Sequence, residues 1–209
     1  MESVFRQEGL SLDCYRSALI RLFRCALFGA LVVLCVRASL LESFYVSSRS
    51  MSPTLKPDDF IVVPKLAYGL HLPFIDRPIV SWRSPRRGEV VVVAREDDPL
   101  TPYDEAKRVV VKRVVGVSGD RVSVVGALVK VNDQILDESY ATWPKGGDRP
   151  EEISFLVPPD SVFLMGDNRG ESDDSRVWRA PYVPVDRVIG PVAAVYWSSD
   201  GLNRAGRLF

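Results

Sequence analysis

The fold is decided by residues 108–117, whose sequence is RVVVKRVVGV, with valine at six of its ten positions. Branching at Cβ stiffens a valine side chain and favours strands over helices. Gly126 separates two more valine-rich runs and predicts a tight hairpin. Similar short runs, punctuated by Gly, Pro and Asp, occupy residues 60–63, 89–94, 122–125, 127–131, 161–165 and 188–197. Since no segment beyond Val46 has the 3.6-residue apolar period of a helix, the pattern predicts an all-β domain.

The composition is that of a globular protein: 209 residues carry 27 basic and 27 acidic side chains, and 46% of the residues are hydrophobic. This length allows one domain of ordinary size, or one with an insertion. A mean hydropathy of +0.03 disfavours both wholesale disorder and a membrane protein with many spans. The zero net charge gives no electrostatic reason to expect nucleic acid, so we predict no nucleic-acid partner.

The first forty residues differ in kind from the rest. The apolar stretch Ala18–Leu41 has a charge-free centre, Cys25–Val36, of only 12 residues. As a helix this centre is about 18 Å long, too short to cross a bilayer. Counting the flanking arginines, whose long side chains reach towards water, extends the stretch to about the 20 residues needed. We favour a single transmembrane helix over residues 18–41; a cleaved signal peptide and a buried amphipathic helix are the alternatives.

The positions of the cysteines and arginines indicate which compartments the β-rich part and the amino terminus could occupy. All three cysteines, Cys14, Cys25 and Cys35, lie in the first 35 residues. The β-rich remainder therefore has no disulfide and would fold in an oxidising or a reducing compartment. Arginines before the apolar centre favour a cytoplasmic amino terminus, although Arg37 and Arg49 follow the centre and weaken this argument. The four that precede it are Arg6, Arg16, Arg21 and Arg24.

Several kinds of chemistry have no support in the sequence. The single histidine, His71, lies in a loop-like stretch without a serine or cysteine motif, and no Cys or His cluster has zinc spacing. Residues 167–174 resemble a calcium-binding loop, but Arg169 occupies its third position and Trp178 stands where a glutamate should close it. We therefore predict no metal and no cofactor, and a hydrolase here must work without histidine, metal or cysteine.

What remains is a hydroxyl nucleophile with a lysine base. Burial favours the neutral form of an amine, so a candidate base should lie in an apolar strand. Lys112, inside residues 108–117, is such a lysine, although a solvent-facing strand lysine fits the pattern equally well. Lys65, beside a proline at a strand end, is a weaker rival. Serines cluster in residues 47–55, SSRSMSPTL; a flexible linker is the alternative, but Met51 and Leu55 argue against it.

At this point five motifs together identify a family. The chain resembles the type I (leader) signal peptidases, membrane-anchored Ser-Lys proteases of bacteria. The resemblance covers roughly residues 18–197, and the order and spacing of the motifs make it specific. The motifs are residues 48–55 (SRSMSPTL), 59–69 (DFIVVPKLAYG), 87–92 (RGEVVV), 112–120 (KRVVGVSGD) and 166–176 (GDNRGESDDSR).

The resemblance implies a role for each matching residue. Ser50 is the expected nucleophile and Lys112 the expected general base. The Ser50 N–H and the Ser48 hydroxyl are expected to stabilise the oxyanion, and Ser172 to orient the Lys112 amine. The remaining charged residues are expected to form a supporting ion-pair network: Asp174 and Arg176, with Asp167 and Arg169. The resemblance also makes Lys65 a structural residue and removes the calcium interpretation.

The resemblance implies an architecture and a location as well. We expect an all-β catalytic domain of antiparallel sheets, like that of signal peptidases, with one N-terminal transmembrane helix. Residues 1–17 would be cytoplasmic, 18–41 the anchor and 42–209 the peptidase domain, with a short β subdomain inserted at about 120–160. The protein would be a single-pass monomer of the cytoplasmic (inner) membrane, with its catalytic domain on the periplasmic side. Its partners would be the lipid bilayer and preprotein signal peptides.

The implied function is removal of N-terminal signal peptides by cleavage after small-x-small sites. Two alternatives stay open: a Ser-Lys maturation peptidase dedicated to few substrates, and an inactive membrane-tethered peptide-binding β-domain. A self-cleaving repressor-type relative would need an internal cleavage site in a soluble amino-terminal domain, and the sequence has no such domain. The chain departs from the family pattern at Ser47, Ser118 and Arg179, and Arg179 puts substrate choice in doubt.

Two polar or loop segments remain. Residues 139–152 are rich in turn-forming residues and are expected to form an exposed excursion. Four apolar residues could either contact the outer leaflet or pack as an ordinary loop: Leu70, Leu72, Pro73 and Phe74.

Overall fold

The structure, a computed structural model, describes residues 2–70, 78–96, 107–144, 152–201 and 203–209. The chain divides into two compact units, Met1–Ala38 and Ser39–Phe209. The predictions for His71, Leu72, Pro73 and Phe74 fall outside the described residues.

The first unit lies within one helix, α1 (Glu2–Leu40). Its stretch Tyr15–Leu34 is 20 residues long with a mean hydropathy of 2.0, and none of it is buried in the protein. Twenty helical residues span about 30 Å, the thickness of a bilayer's hydrocarbon core. The helix is therefore long and apolar enough to cross a membrane, and its apolar stretch begins three residues before the predicted start at Ala18.

The second unit is built from strands, as predicted. Every strand pair in the described residues is antiparallel, and the helices described beyond Val46 are two single 3₁₀ turns, Lys65–Ala67 and Val185–Arg187. The strands are β1 (Leu41–Tyr45), β2 (Asp59–Pro64), β3 (Gly69–Leu70), β4 (Val80–Ser81), β5 (Val90–Glu96), β6 (Lys107–Val117), β7 (Arg121–Val125), β8 (Leu128–Val131), β9 (Gln134–Ile135), β10 (Ile153–Leu156), β11 (Ser161–Met165), β12 (Tyr182–Pro184), β13 (Val188–Pro191), β14 (Ala194–Ser198) and β15 (Arg207–Leu208).

These strands form three main sheets and the small pair β3-β4. A four-stranded sheet has the order β1-β2-β14-β15, a five-stranded sheet β12-β11-β6-β5-β13, and a second four-stranded sheet β10-β7-β8-β9. The last sheet occupies residues 121–156 and contains the hairpin predicted at Gly126, where Val125 pairs with Leu128 across a two-residue loop. Strand β6, which contains most of the valine-rich stretch, lies in the middle of the five-stranded sheet.

One predicted strand was wrong in extent. The run 188–197 is two strands, because the chain changes sheets between Val192 and Ala193. The Val192 N–H donates to the Val90 carbonyl of β5, whereas the Ala193 N–H donates to the Val62 carbonyl of β2. One continuous apolar run thus contributes a strand to each of two sheets, and the apolar periodicity of the sequence does not show where the chain passes from one sheet to the other.

The sheets enclose three apolar clusters. The cluster between the β1-β2-β14-β15 sheet and β5 includes Met51 and Leu55, which are fully buried with Ile61 and Val195. The serine-rich segment is therefore fixed in the core and is not a flexible linker. Burying two such side chains contributes about 1.5–3 kcal/mol each, which favours one conformation of the residues between them.

Candidate active site

The serine segment is a loop between β1 and β2. Its ends are joined because the Val46 N–H donates to the Asp59 carbonyl and the Asp58 N–H donates to the Val46 carbonyl, both at 2.9 Å. Ser50 lies in this loop with 8% of its surface exposed. Its Oγ lies 3.0 Å from the Ser48 Oγ, so the two hydroxyls share a hydrogen bond, and both residues line one cleft.

Lys112 reaches the same cleft from β6. Its side chain is buried, with 3% of the residue exposed, so the solvent-facing alternative was wrong. The Lys112 Nζ donates to the Ser172 Oγ at 3.1 Å. Ser48, Ser50 and Lys112 all line one cleft of about 470 Å³, and the structure thereby brings together residues 62 positions apart in the sequence.

Ser172 is held in turn by Asp174. This carboxylate is fully buried and accepts hydrogen bonds from the Ser172 hydroxyl, from the Gly166 N–H at 2.9 Å and from the Arg176 Nε and Nη2 at 2.8 Å. Burial alone would raise the pKa of Asp174, but the hydrogen bonds and charge of Arg176, with the other donors, hold it below its ordinary value. Asp174 is therefore a hydrogen-bond acceptor that holds Ser172, and Ser172 in turn contacts Lys112.

The other two charged residues of the predicted network have different partners. Asp167 pairs with Arg113 through two contacts of 2.8 and 2.6 Å. Arg169 pairs with Glu138, whose two oxygens accept from Nη1 and Nη2 at 2.7 and 2.5 Å. Arg169 is itself buried, so the pair is largely desolvated. Glu138 had no role in the sequence analysis because it lies in the inserted segment, far from the motifs.

Residues 139–144 match the expected exposed excursion only in part, because Ser139, Thr142 and Pro144 are exposed and two aromatic side chains are not; residues 145–151 lie outside the described residues. Tyr140 and Trp143 are half-buried; the Arg113 guanidinium lies 3.9 Å from the centre of the Tyr140 ring, and the Trp143 ring faces Arg169 at 5.3 Å. Burial, with the nearby Glu138 carboxylate, raises the pKa of Tyr140 to about 12. The two aromatic side chains cover the arginines of the network, and their presence in a polar stretch was the available sequence signal.

Four other residues singled out in the sequence have different surroundings. Lys65 pairs with Glu42 at 3.1 Å, as expected of a structural lysine. Ser47 is exposed and lines the cleft, whereas Ser118 lies in an exposed turn. Arg179 is also exposed.

Sequence comparison relates the chain to known proteins. A sequence model of the family described as "Signal peptidase, peptidase S26" matches residues 19–197. A signal peptidase I of Pseudomonas fluorescens is 33% identical, over 80% of this chain and 68% of its own length. Its counterpart in Pseudomonas aeruginosa is 34% identical over the same shares, and that of Leptolyngbya laminosa is 32% identical over 86% of this chain and 79% of its own.

The chain belongs to the signal peptidase family, peptidase S26, because the family's model matches most of its length. This family membership makes it a serine endopeptidase of the kind that removes signal peptides.

Proposed function

We propose that Ser50 and Lys112 are the nucleophile and the general base of this peptidase, and that it cuts exported preproteins after small-x-small sites. The observation that carries the proposal is a buried lysine amine, bonded to Ser172, in the cleft that Ser50 also lines. Ser48 and the Ser50 N–H would stabilise the oxyanion, while Ser172, Asp174 and Arg176 would hold the base in place.

In this mechanism the Ser50 Oγ attacks the scissile carbonyl while the Lys112 Nζ takes its proton. Collapse of the tetrahedral intermediate transfers that proton to the leaving amine, and water then hydrolyses the ester to Ser50. The base must be neutral to accept a proton. A free lysine is neutral in only about one molecule in 2,500 at pH 7, and burial shifts that balance towards the neutral amine.

Ser172 suits a neutral base. A neutral amine has two hydrogens and one lone pair, so Lys112 can donate one hydrogen to Ser172 and still accept the proton of Ser50. The Ser172 hydroxyl hydrogen is directed to Asp174, which leaves its oxygen free to accept from Lys112. This direction of donation follows from Asp174 being ionised, since an ionised carboxylate only accepts hydrogen bonds.

We further propose that α1 crosses the cytoplasmic membrane once, with the strand-built unit on the periplasmic side and the protein acting as a monomer. The apolar stretch Tyr15–Leu34 supports this, as do the arginines that precede its centre. Preprotein cleavage sites emerge close to the membrane surface, so an anchored peptidase is held near them. Adding a protease to right-side-out vesicles of the cytoplasmic membrane tests the topology. Digestion of the strand-built unit is expected, and full protection of this unit would contradict the proposed orientation.

The catalytic assignment is tested with the full chain in detergent and a preprotein that has a small-x-small site. Ser50→Ala and Lys112→Ala should each lower the cleavage rate by about 10⁴-fold or more, because the reaction loses its nucleophile or its base. Lys112→Arg should be as inactive, because a guanidinium stays protonated. Lys65→Ala and Ser118→Ala, which remove the same side-chain types outside the cleft, should retain wild-type activity.

Two outcomes would contradict the proposal: cleavage by folded Ser50→Ala or Lys112→Ala within tenfold of wild type, or inactivation by Lys65→Ala. Sequencing the new amino termini across a panel of preproteins tests the substrate preference. Cleavage of many substrates after small-x-small sites is expected, whereas cleavage of one alone would favour a dedicated maturation peptidase.

A further inference from the structure

We propose that Asn168 is a positioning residue that fixes the Ser50 peptide against the turn carrying Ser172. It would do so with one side-chain amide that contacts both sides of the cleft. The proposal rests on Ser50 being the nucleophile, and its tests are chosen so that the two can fail separately.

The first contacts are to the nucleophile's own backbone. The Asn168 N–H donates to the Ser50 carbonyl at 3.0 Å, and its Nδ2 donates to the Arg49 carbonyl at 3.2 Å. The Arg49 carbonyl and the Ser50 N–H belong to one planar peptide and point in opposite directions. The Ser52 N–H also donates to this carbonyl, at 3.0 Å, so the Asn168 Nδ2 is one of two donors that hold it and thereby set the direction of the Ser50 N–H, the proposed oxyanion donor. Such donors act only when they are already aimed at the developing charge.

The second contact is to the side of the cleft that holds the base. The same Nδ2 donates to the Glu171 Oε2 at 3.1 Å, and the Glu171 N–H donates to the Asn168 carbonyl at 3.1 Å. Glu171 directly precedes Ser172, which accepts from Lys112. The two hydrogens of one amide thus join the peptide of the nucleophile to the turn that orients the base.

The orientation of this amide is determined by its partners. A backbone carbonyl and a carboxylate both only accept hydrogen bonds, so the nitrogen of Asn168, not its oxygen, must face Arg49 and Glu171. Aspartate at this position would place an acceptor against two acceptors and should be worse than alanine.

The backbone of Asn168 is held independently of its side chain. On either side, the Thr142 N–H donates to the Asp167 carbonyl and the Arg169 N–H donates to the Thr142 carbonyl, both at 2.8 Å. Residues 142 and 168 form a parallel bridge through these bonds. Truncating Asn168 should therefore remove the side-chain contacts while leaving its own backbone in place.

The experiment compares Asn168→Ala and Asn168→Asp with the wild-type full chain in detergent, by preprotein cleavage and urea unfolding. Asn168→Ala should lower kcat about 10- to 100-fold and leave KM within about threefold, because the oxyanion donor is misdirected and substrate contacts are intact. Asn168→Asp should fall below Asn168→Ala. The matched control is Asn132→Ala, which also loses two side-chain hydrogen bonds, to Arg121 N and Asp120, and should keep wild-type kcat.

A kcat within twofold of wild type in folded Asn168→Ala, with Ser50→Ala inactive, would overturn this proposal and leave the catalytic assignment standing. An active Ser50→Ala would overturn the assignment itself. If Asn168→Ala does not fold, the Glu171 variants decide: Glu171→Ala should lower kcat several-fold, and Glu171→Gln, which keeps an accepting oxygen, should restore most of that loss. Equal activity of Glu171→Ala and wild type would then overturn the proposal.

Discussion

Two buried aspartates in this protein are satisfied in the same way and differ in what lies next to them. The Asp174 junction consists of that carboxylate with Arg176, the Gly166 N–H and the Ser172 hydroxyl. The Asp120 junction consists of its carboxylate with Arg87 at 2.8 Å, the Val117 N–H and the Asn132 amide. Each carboxylate thus receives one guanidinium, a backbone donor and one neutral side-chain donor, and Asp174 also accepts from a second backbone donor, the Arg176 N–H, at 3.3 Å.

The difference is the second partner of the neutral side chain. Ser172 also accepts a hydrogen bond from Lys112, whereas Asn132 accepts from the Arg121 N–H of its own hairpin. The surroundings differ too: the Arg176 side chain is 5% exposed and that of Arg87 is 38% exposed. The same arrangement of donors around a carboxylate therefore occurs in two settings, and in one of them a donor also contacts Lys112, the proposed base.

The largest expected difference between the junctions comes from a methyl group added to a glycine beside each. A Cβ at Gly166 would overlap the Ser172 Oγ and lie 2.5 Å from the Ser50 carbonyl oxygen. Displacing a reacting group by 1 Å can cost about 100-fold; with both sides of the cleft displaced, Gly166→Ala should lower kcat/KM by roughly 1,000-fold. The preprotein cleavage assay measures it.

Gly119, beside Asp120, provides the matched control. It has φ +85° and no neighbouring atom within 4 Å of an added Cβ, so Gly119→Ala meets backbone strain of about 1–2 kcal/mol but no collision. It should lower the urea midpoint and leave kcat/KM unchanged. Equal activity losses in the two alanine variants would mean that Gly166 acts through general stability and not through the cleft.

The next effect comes from removing the third donor of each junction. Ser172→Ala should lower kcat about 100-fold, because the Lys112 amine loses the group that aims it and general base catalysis is worth about 10²–10⁴-fold. Asn132→Ala should lower only the stability, by about 1–2 kcal/mol. Kinetics and urea unfolding of both variants decide this, and full activity of a folded Ser172→Ala would contradict the orienting role.

Neutralising the carboxylates should affect stability unequally. Asp174→Asn leaves Arg176 buried without its counter-charge and should lower the free energy of unfolding by about 3–5 kcal/mol. Asp120→Asn should cost only about 1–2 kcal/mol, because Arg87 can turn to solvent. Urea titrations followed by tryptophan fluorescence measure both, and an equal loss in the two variants would show that exposure of the arginine does not matter.

The sequence predicted the all-β fold because buried strands such as residues 107–117 and 161–165 contain enough valine or other apolar residues to mark them. It did not predict seven strands that are two to five residues long and partly or fully exposed: β1, β3, β4, β9, β10, β12 and β15. Such strands are stabilised by pairing with a neighbouring strand, and the composition of a short segment does not predict that pairing. The division of residues 188–197 between two sheets was missed for the same reason.

Ser48, Ser50 and Lys112 line one cleft, and the catalytic roles that the motifs indicate for them stay predictions. The partners of the charged residues were not predictable. Asp167 and Arg169 are two residues apart, yet Asp167 pairs with Arg113 and Arg169 with Glu138. The first pair joins the motif loop to β6, and the second depends on how the segment around Glu138 packs against that loop. Contacts between elements distant in sequence require the packing, and a motif specifies only its own residues.

The smallest expected effect is the response of the junctions to acid. Hydrogen bonds and guanidinium charge outweigh burial and lower the pKa of both Asp174 and Asp120. In the unfolded chain aspartate has a pKa of about 3.9, so the unfolded chain takes up protons before the folded protein does as the pH falls. The stability that each lowered pKa contributes is complete above the pKa of aspartate in the unfolded chain. It is lost as the pH falls towards the pKa of the same carboxyl in the folded protein.

The variants Asp174→Asn and Asp120→Asn test this response to acid. Each should flatten the fall in urea midpoint below about pH 4, and their effects should add because the junctions share no partner. Asp59, whose pKa is also lowered, should keep some acid sensitivity in the double variant; a wild-type slope in either single variant would contradict the assignment.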